Sequence, residues 1–336
     1  MKRVIAIVLA AVFVAAIPAF AQKQFKVADQ VKLGGEGGWD YLVYDKDGQR
    51  LFITRGTHVM VVDAKSLKLT ADIPDLSGIH GVALAPEFNR GFISNGGDNT
   101  VTVFDLKTLK KLDSVKVGER PDAILYEPFS KHVFTFNARS KDSTVVDAAT
   151  GKVVGTVALG GKPEFPASDG KGKLYVNIED KSQIAQVDVS KNAVLNTWSV
   201  APCQEPSALA IDTEHHRLFA GCDNKMMAVV DSDSGKVVTT VPIGEGVDAG
   251  RFNPKTQQVF MSCGEGVLTV IHEDSPDKYT VQENLPTAKG ARTMALDKDN
   301  NVVYLVTAQR EDKPVPAGQR PTMVPGSFEL IVVRPQ

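Results

Sequence analysis

Ionisable side chains recur at wide, nearly even intervals along the 336-residue chain: Asp40, His80, Asp122, Glu164, Glu205 with Ser207, Asp248 and Arg292. Asp40, His58 and His80 together offer two imidazoles and one carboxylate, the donor set of an open transition-metal site with room left for water or substrate. A second set, Asp122, Glu164 and Asp248, offers the carboxylate oxygens that a hard cation such as Ca²⁺ prefers. Arg139 and Arg292 cut across both readings, because they either pair with these acids into a salt-linked ring or steer an anionic substrate. Glu179 adds a further acid to the same group. No short motif such as H-E-x-x-H joins the histidines, so the metal reading rests on residue type and on where the fold puts them.

Other chemistries find less support. There is no Gly-x-Ser-x-Gly, and no histidine is spaced to activate Ser207, so a serine nucleophile is not indicated. Gly34-Gly35-Glu36-Gly37-Gly38 is followed by an extended segment rather than a helix, which argues for a tight chain turn and against a phosphate loop. His132, His215, His216 and His272 fall at turns or strand ends on the opposite side from His58 and His80 and read as structural or solvated. The three cysteines form no C-x-x-C pair. Cys203, in an entry loop, and Cys222, closing the next strand but one, fall on the same side of the fold, so a Cys203–Cys222 disulfide is favoured over Cys222–Cys263, and Cys263 is left as the odd thiol.

The elements that would position these residues are short strands. An Asp closing an apolar run recurs at Asp63, Asp105, Asp147, Asp188 and Asp231, separated by 42, 42, 41 and 43 residues, which is the mark of stacked modules. Within a module, apolar segments alternate with Gly, Asn, Asp and Pro turns. From His80 to Gly118 the expected strands are 81–85, 91–94, 100–105 and 112–117. Four antiparallel strands in such a repeat make a propeller blade, and seven blades can be counted. The last lacks a fourth strand, and the segment 25–33 fits as that strand, tying the chain ends together. The fold class expected is therefore all-β, a seven-bladed β-propeller of four-stranded antiparallel blades closed by the N-terminal strand. In such a fold the loops entering strand one and those joining strands two and three share one face, here called the top, and that face carries the ionisable residues.

The second strands Phe92-Ile93-Ser94-Asn95, Phe134-Thr135-Phe136-Asn137 and Leu174-Tyr175-Val176-Asn177, each followed by a strand closing on Asp, carry a resemblance to a known family. With turns such as Asp147-Ala148-Ala149-Thr150-Gly151-Lys152, the chain resembles the YVTN-repeat β-propellers, specifically the YncE-like periplasmic or secreted proteins. The resemblance spans essentially the whole chain after the leader. It implies the propeller and leaves function open, since such blades occur in binding modules, in lactonase-like enzymes and in subunits of redox enzymes. The chain departs from the pattern at Arg55, Cys222, Cys263 and Thr307, which stand where the Asn is expected.

Residues 1–21 read as a cleavable leader: Lys2 and Arg3, an apolar run, then Ala19-Phe20-Ala21. Residues 22–336 are then one propeller domain in a periplasmic or secreted protein. The apolar run is short for a span, and no transmembrane segment is expected. A composition 43% hydrophobic and 23% charged is that of a globular protein. Net charge is −2 before the two leader cations are lost, which argues against nucleic acid as a partner and for a small molecule or a periplasmic protein. A Pro-rich insertion at 313–325 is expected to form a loop over one face, as a lid or a docking segment. The leading function is an exported, non-catalytic propeller that binds a small ligand, metal ion or partner protein at its top-face mouth. The alternative is a metal-dependent hydrolase of a lactone or ester, with Asp40, His58, His80 or Glu164 holding the ion, either Ca²⁺ or a transition metal.

Overall fold

The computed structural model describes residues 24–313 and 322–336. The expected leader, 1–21, lies outside them, as does 314–321, most of the Pro-rich insertion. Seven four-stranded antiparallel sheets form the blades, and in six of them the four strands follow one another in sequence. The seventh consists of Met294–Asp297, Val302–Thr307, Glu329–Pro335 and, as its outer strand, Phe25–Lys32, which pairs antiparallel with Glu329–Pro335.

The apolar pattern explains the stacking. Strands two and three of each blade, such as Arg90–Asn95 and Thr100–Asp105, are buried on both sides because each lies between two neighbouring blades, so they read as nearly continuous apolar runs. Fourth strands, such as Lys111–Lys116, are mostly exposed. Seven hydrophobic clusters result among the described residues, each built mainly by two adjacent blades; one joins Phe52, Val61 and Ile73 of blade one to Val82, Ile93 and Phe104 of blade two, and another closes the ring between blades seven and one. The Asp that ends strand three caps the next turn: Asp147 Oδ1 accepts from the Thr150 N–H and hydroxyl at 2.7 Å each, and Asp63 and Asp231 do the same with Ser66 and Ser234. That is the physical content of the recurring Asp.

Three of the residues standing at the Asn position have their own structural accounts. Arg55 is fully buried, donates to the carbonyls of Gly34, Glu36 and Gly37 at 2.9–3.0 Å and stacks 3.6 Å over the Phe328 ring. The glycine-rich turn thus wraps an arginine, and Gly35 and Gly37 take positive φ values of 77° and 91° to do it. Cys222 is joined to Cys203 by a disulfide with Cα atoms 5.7 Å apart, while Cys263 is free and buried. Burial pushes the Cys263 thiol up to about 12, so it packs as an inert apolar group. Replacing both Cys203 and Cys222 by Ala releases a loop of sequence separation 19 and is expected to lower stability by about 2–3 kcal/mol in urea titrations; no change would mean that the loop is held by its packing alone.

Asn177 corrects the motif alignment. Asn95 and Asn137 face the first residues of their third strands, Thr100 and Asp142, but in blade four that place belongs to Ile178, opposite Gln183. Asn177 sits one residue earlier, level with Ser94 and Ser262, and does their work: its amide donates to the Ala208 carbonyl of the next blade at 2.9 Å.

Candidate functional site

Each blade contributes one side chain to the top mouth from the same place, the residue just where strand one enters the sheet. These are Asp40, His80, Asp122, Glu164, Ser207, Asp248 and Arg292. In blades two to six the ladder slips there, between Ile79 and Val82, Pro121 and Ile124, Pro163 and Pro166, Pro206 and Ala208, and Val247 and Ala249. Such a bulge frees a carbonyl and turns a side chain out of the pleat toward the axis. Carbonyls of ring residues are taken by hydroxyls of the preceding blade: Thr54 donates to His80 O at 3.0 Å, Ser94 to Asp122 O at 2.5 Å, Ser262 to Arg292 O at 2.5 Å and Thr293 to Asp40 O at 2.8 Å. The ring is therefore pinned blade to blade.

Charges alternate around most of it. Asp248 Oδ2 meets Arg292 Nε at 2.5 Å, and Arg292 reaches Asp40 at 3.9 Å. Asp40 accepts from His80 Nδ1 at 2.6 Å, and the same nitrogen lies 3.4 Å from Asp122. Lys162 holds Glu164 at 2.7 Å and also contacts Glu179. Burial pulls the His80 imidazolium down, but the Asp40 hydrogen bond and the Asp122 charge outweigh it and His80 titrates above its ordinary range. Burial raises Asp40, Asp122 and Asp248. Burial and then the Asp122 charge push Glu164 up to about 8 in spite of Lys162.

These residues line a cavity of about 500 Å³. Tyr41 forms its floor; the Tyr41 ring meets Phe165 at 5.1 Å, and the Arg251 guanidinium lies 4.6 Å over Phe165. This layer separates the upper chamber from a second cavity of about 430 Å³ in the channel below. Exposed Arg120 and Arg139 stand at the upper rim, and among the described residues neither has a carboxylate partner within ion-pair distance.

Asp40, His80, Asp122, Arg139, Glu164, Asp248 and Arg292 thus share one chamber, with Glu179 attached through Lys162. His58 does not join them. It follows Arg55, whose guanidinium is committed to the glycine-rich turn, and its Nε2 instead faces Asp72 on the outer strand of the same blade at 4.0 Å. Asp122 takes its place: donor atoms of Asp40, His80 and Asp122 lie within 4.8 Å of one another. The expected trio of Asp122, Glu164 and Asp248 is not gathered for Ca²⁺ either, since Lys162 and Arg292 engage two of its members. Glu205 is exposed outside the ring, and Ser207 holds the blade-five place, donating to Val247 O at 2.7 Å.

Sequence reasoning overlooked Arg120 and Lys162, although a signal was present. Each lies two residues before its ring residue, where other blades carry Gly78, Gly246 and Gly290. Those glycines have φ of 55°, 67° and 85°, and Arg120 has φ 55°. An arginine kept in a left-handed conformation that glycine fills without strain points to a role for its side chain.

No family model matches the chain. A curated relative, the antigen Lp49 of Leptospira interrogans serogroup Icterohaemorrhagiae, is 24% identical over 187 residues, covering 53% of this chain and 41% of that protein, so the match spans less than half of the relative's length. Solved structures are similar over more of the chain. Hydrazine synthase of Kuenenia stuttgartiensis has a TM-score of 0.68 at 16% identity, over 80% of this chain and 92% of that one. The WD40 repeats of RRP9 give 0.78 at 10% identity, over 93% and 99%, and a chain of the mitotic checkpoint complex gives 0.75 at 15%, over 99% and 98%. At these identities the likeness is one of fold: the chain is a seven-bladed β-propeller of WD40-like architecture.

Proposed function

We propose that this is an exported, non-catalytic binding propeller of YncE-like kind whose top chamber takes a small acid bearing hydroxyl or ammonium groups. The observation that carries the reading is the division of charge in the chamber. The acids of the ring are already engaged by His80, Lys162 and Arg292, whereas Arg120 and Arg139 at the rim are not, so the vacant electrostatic partner is an anion. Below the rim, the carboxylates of Asp40 and Asp122 remain acceptors for donors on the ligand body. Export rests on the 1–21 leader and is checked by N-terminal sequencing of protein made with its leader, which is expected to begin at Gln22.

Arg120→Gly is expected to keep or raise the melting temperature, because glycine relieves the left-handed backbone. The same substitution, or Arg139→Ala, is expected to weaken by about tenfold the binding of hydroxy acids or sugar acids found by thermal-shift screening, the loss of one charge-assisted contact of roughly 1.4 kcal/mol. If no such acid shifts the wild type, or if both variants bind unchanged, the reading fails.

One observation favours the second reading, a metal-dependent lactone or ester hydrolase: the convergence of Asp40, His80 and Asp122. An ion there would polarise an ester carbonyl and activate water, Arg139 would orient an acidic substrate, and ester turnover would vanish in His80→Ala.

A further inference from the structure

Blade six departs from the repeat at the face opposite the ring. In blades one to five, strand three ends on an Asp facing the first residue of strand two, as Asp231 faces Arg217. In blade six that register holds His272 opposite Gln258, and the strand runs on to Ser275 before returning from Lys278. The lengthened hairpin carries Glu273 and Tyr279 over the lower end of blade five, where the Tyr279 ring packs edge-on against Phe219 at 5.8 Å.

Glu273 lands beside Asp212 and His215. His215 Nδ1 lies 2.6 Å from Asp212 Oδ2 and 3.7 Å from Glu273 Oε1, which also accepts from the Tyr279 hydroxyl at 2.9 Å. Asp212 is 1% and Glu273 3% exposed. Asp212 is served by the N–H groups of Glu214 and His215 at its own turn. Glu273 Oε2 is buried with no hydrogen-bond partner. Arg217 does not supply the missing positive charge; it is spent on Asp231, Asp277 and the Pro276 carbonyl.

Two buried carboxylates that share one imidazole, with an oxygen left over, form an unstable arrangement unless a cation or a proton joins them. Donor atoms of Asp212, His215 and Glu273 lie within 4.8 Å of one another, and the half-exposed imidazole leaves a way in and a position for water. One nitrogen with two carboxylates is a set for a divalent transition metal and not for Ca²⁺, which takes oxygen ligands only.

We propose that Asp212, His215 and Glu273 bind one divalent transition-metal ion that clamps blade five to the extended hairpin of blade six. The ion meets the free Oε2 of Glu273 and displaces the hydrogen bond between His215 and Asp212. The site shares no residue with the top chamber and stands or falls separately from it.

The test is Zn²⁺ titration of the chelator-treated, leader-free protein, read by calorimetry and melting temperature. Wild type is expected to bind Zn²⁺ with a rise in melting temperature of several degrees. Glu273→Gln, whose amide can donate to Asp212 and so keep the fold, is expected to lose one equivalent and that rise, as is His215→Ala. The proposal is overturned if Glu273→Gln binds and responds to Zn²⁺ like wild type, which would place the ion elsewhere. It is equally overturned if wild type binds none and instead shows a melting-temperature break near pH 7 that Glu273→Gln removes, which would mean that a proton fills the gap.

Discussion

Arg292→Met is expected to destabilise the protein by about 3–5 kcal/mol, the cost of removing one partner from a buried ion pair. Arg292 holds Asp248 at 2.5 Å and reaches Asp40 at 3.9 Å, and the three side chains are 16–26% exposed, well short of a freely solvated surface pair. Methionine keeps most of the stem packing, so the loss reads the charge. Asp248 and Asp40, already raised by burial, lose the cation that lowers them, and the native state then favours their protonation. The deficit should accordingly be larger at pH 7 than at pH 4, and Arg292→Met combined with Asp248→Leu should recover much of it. Denaturant titration of the two single variants and the double variant gives the coupling directly. A cost below about 1 kcal/mol, as for an exposed pair, would show that water screens the ring and that its charges are available to a ligand.

The seven blades were legible because the fold leaves its period in the sequence. The inner strands are apolar throughout, since two neighbours cover them, and the closing Asp must be there to accept the turn N–H groups. The position of the ring residues followed from the same period. Which of them touch did not, because contact depends on side-chain reach across blade boundaries. His58 shows the difference: it lies at the right face, but the commitment of Arg55 to the Gly34–Gly37 carbonyls fixes a turn that points it toward Asp72. Asn177 shows another limit, since one residue of register separates a side chain that bonds within its blade from one that bonds to the next. Arg251 left a trace that was passed over: an arginine in the apolar first strand Val247–Asn253 is unexpected unless it faces the channel, where it covers Phe165. The Glu273 cluster was hidden because His215 and Asp212 look like an ordinary turn until the longer hairpin of blade six is in place.

Alternation of charge around the ring breaks at one point, and the largest pH effect is expected there. Asp248, Arg292, Asp40, His80 and Asp122 alternate in sign, but the next residue, Glu164, is again an acid, and blade five follows with neutral Ser207. Glu164 thus has a like-charged neighbour on one side and no ring cation on the other, relieved only by Lys162 from the rim. Its carboxyl, pushed up to about 8, stands above the value of about 4.3 for an unfolded chain. A raised folded value means that the native state holds the proton more tightly than the unfolded state does, so the stabilisation is full below about pH 4.3 and is lost as pH rises through 8. Glu164→Gln, neutral at every pH, should match wild type near pH 4 and exceed it progressively above that, by on the order of 5 kcal/mol at pH 9. Urea titrations of both proteins from pH 4 to pH 9 measure this; parallel profiles would mean that Lys162 alone settles the charge of Glu164. If the divergence appears, an acid that binds through Arg120 and Arg139 must meet a protonated Glu164 at neutral pH, and its affinity should fall above pH 8 as a further negative charge forms in the chamber.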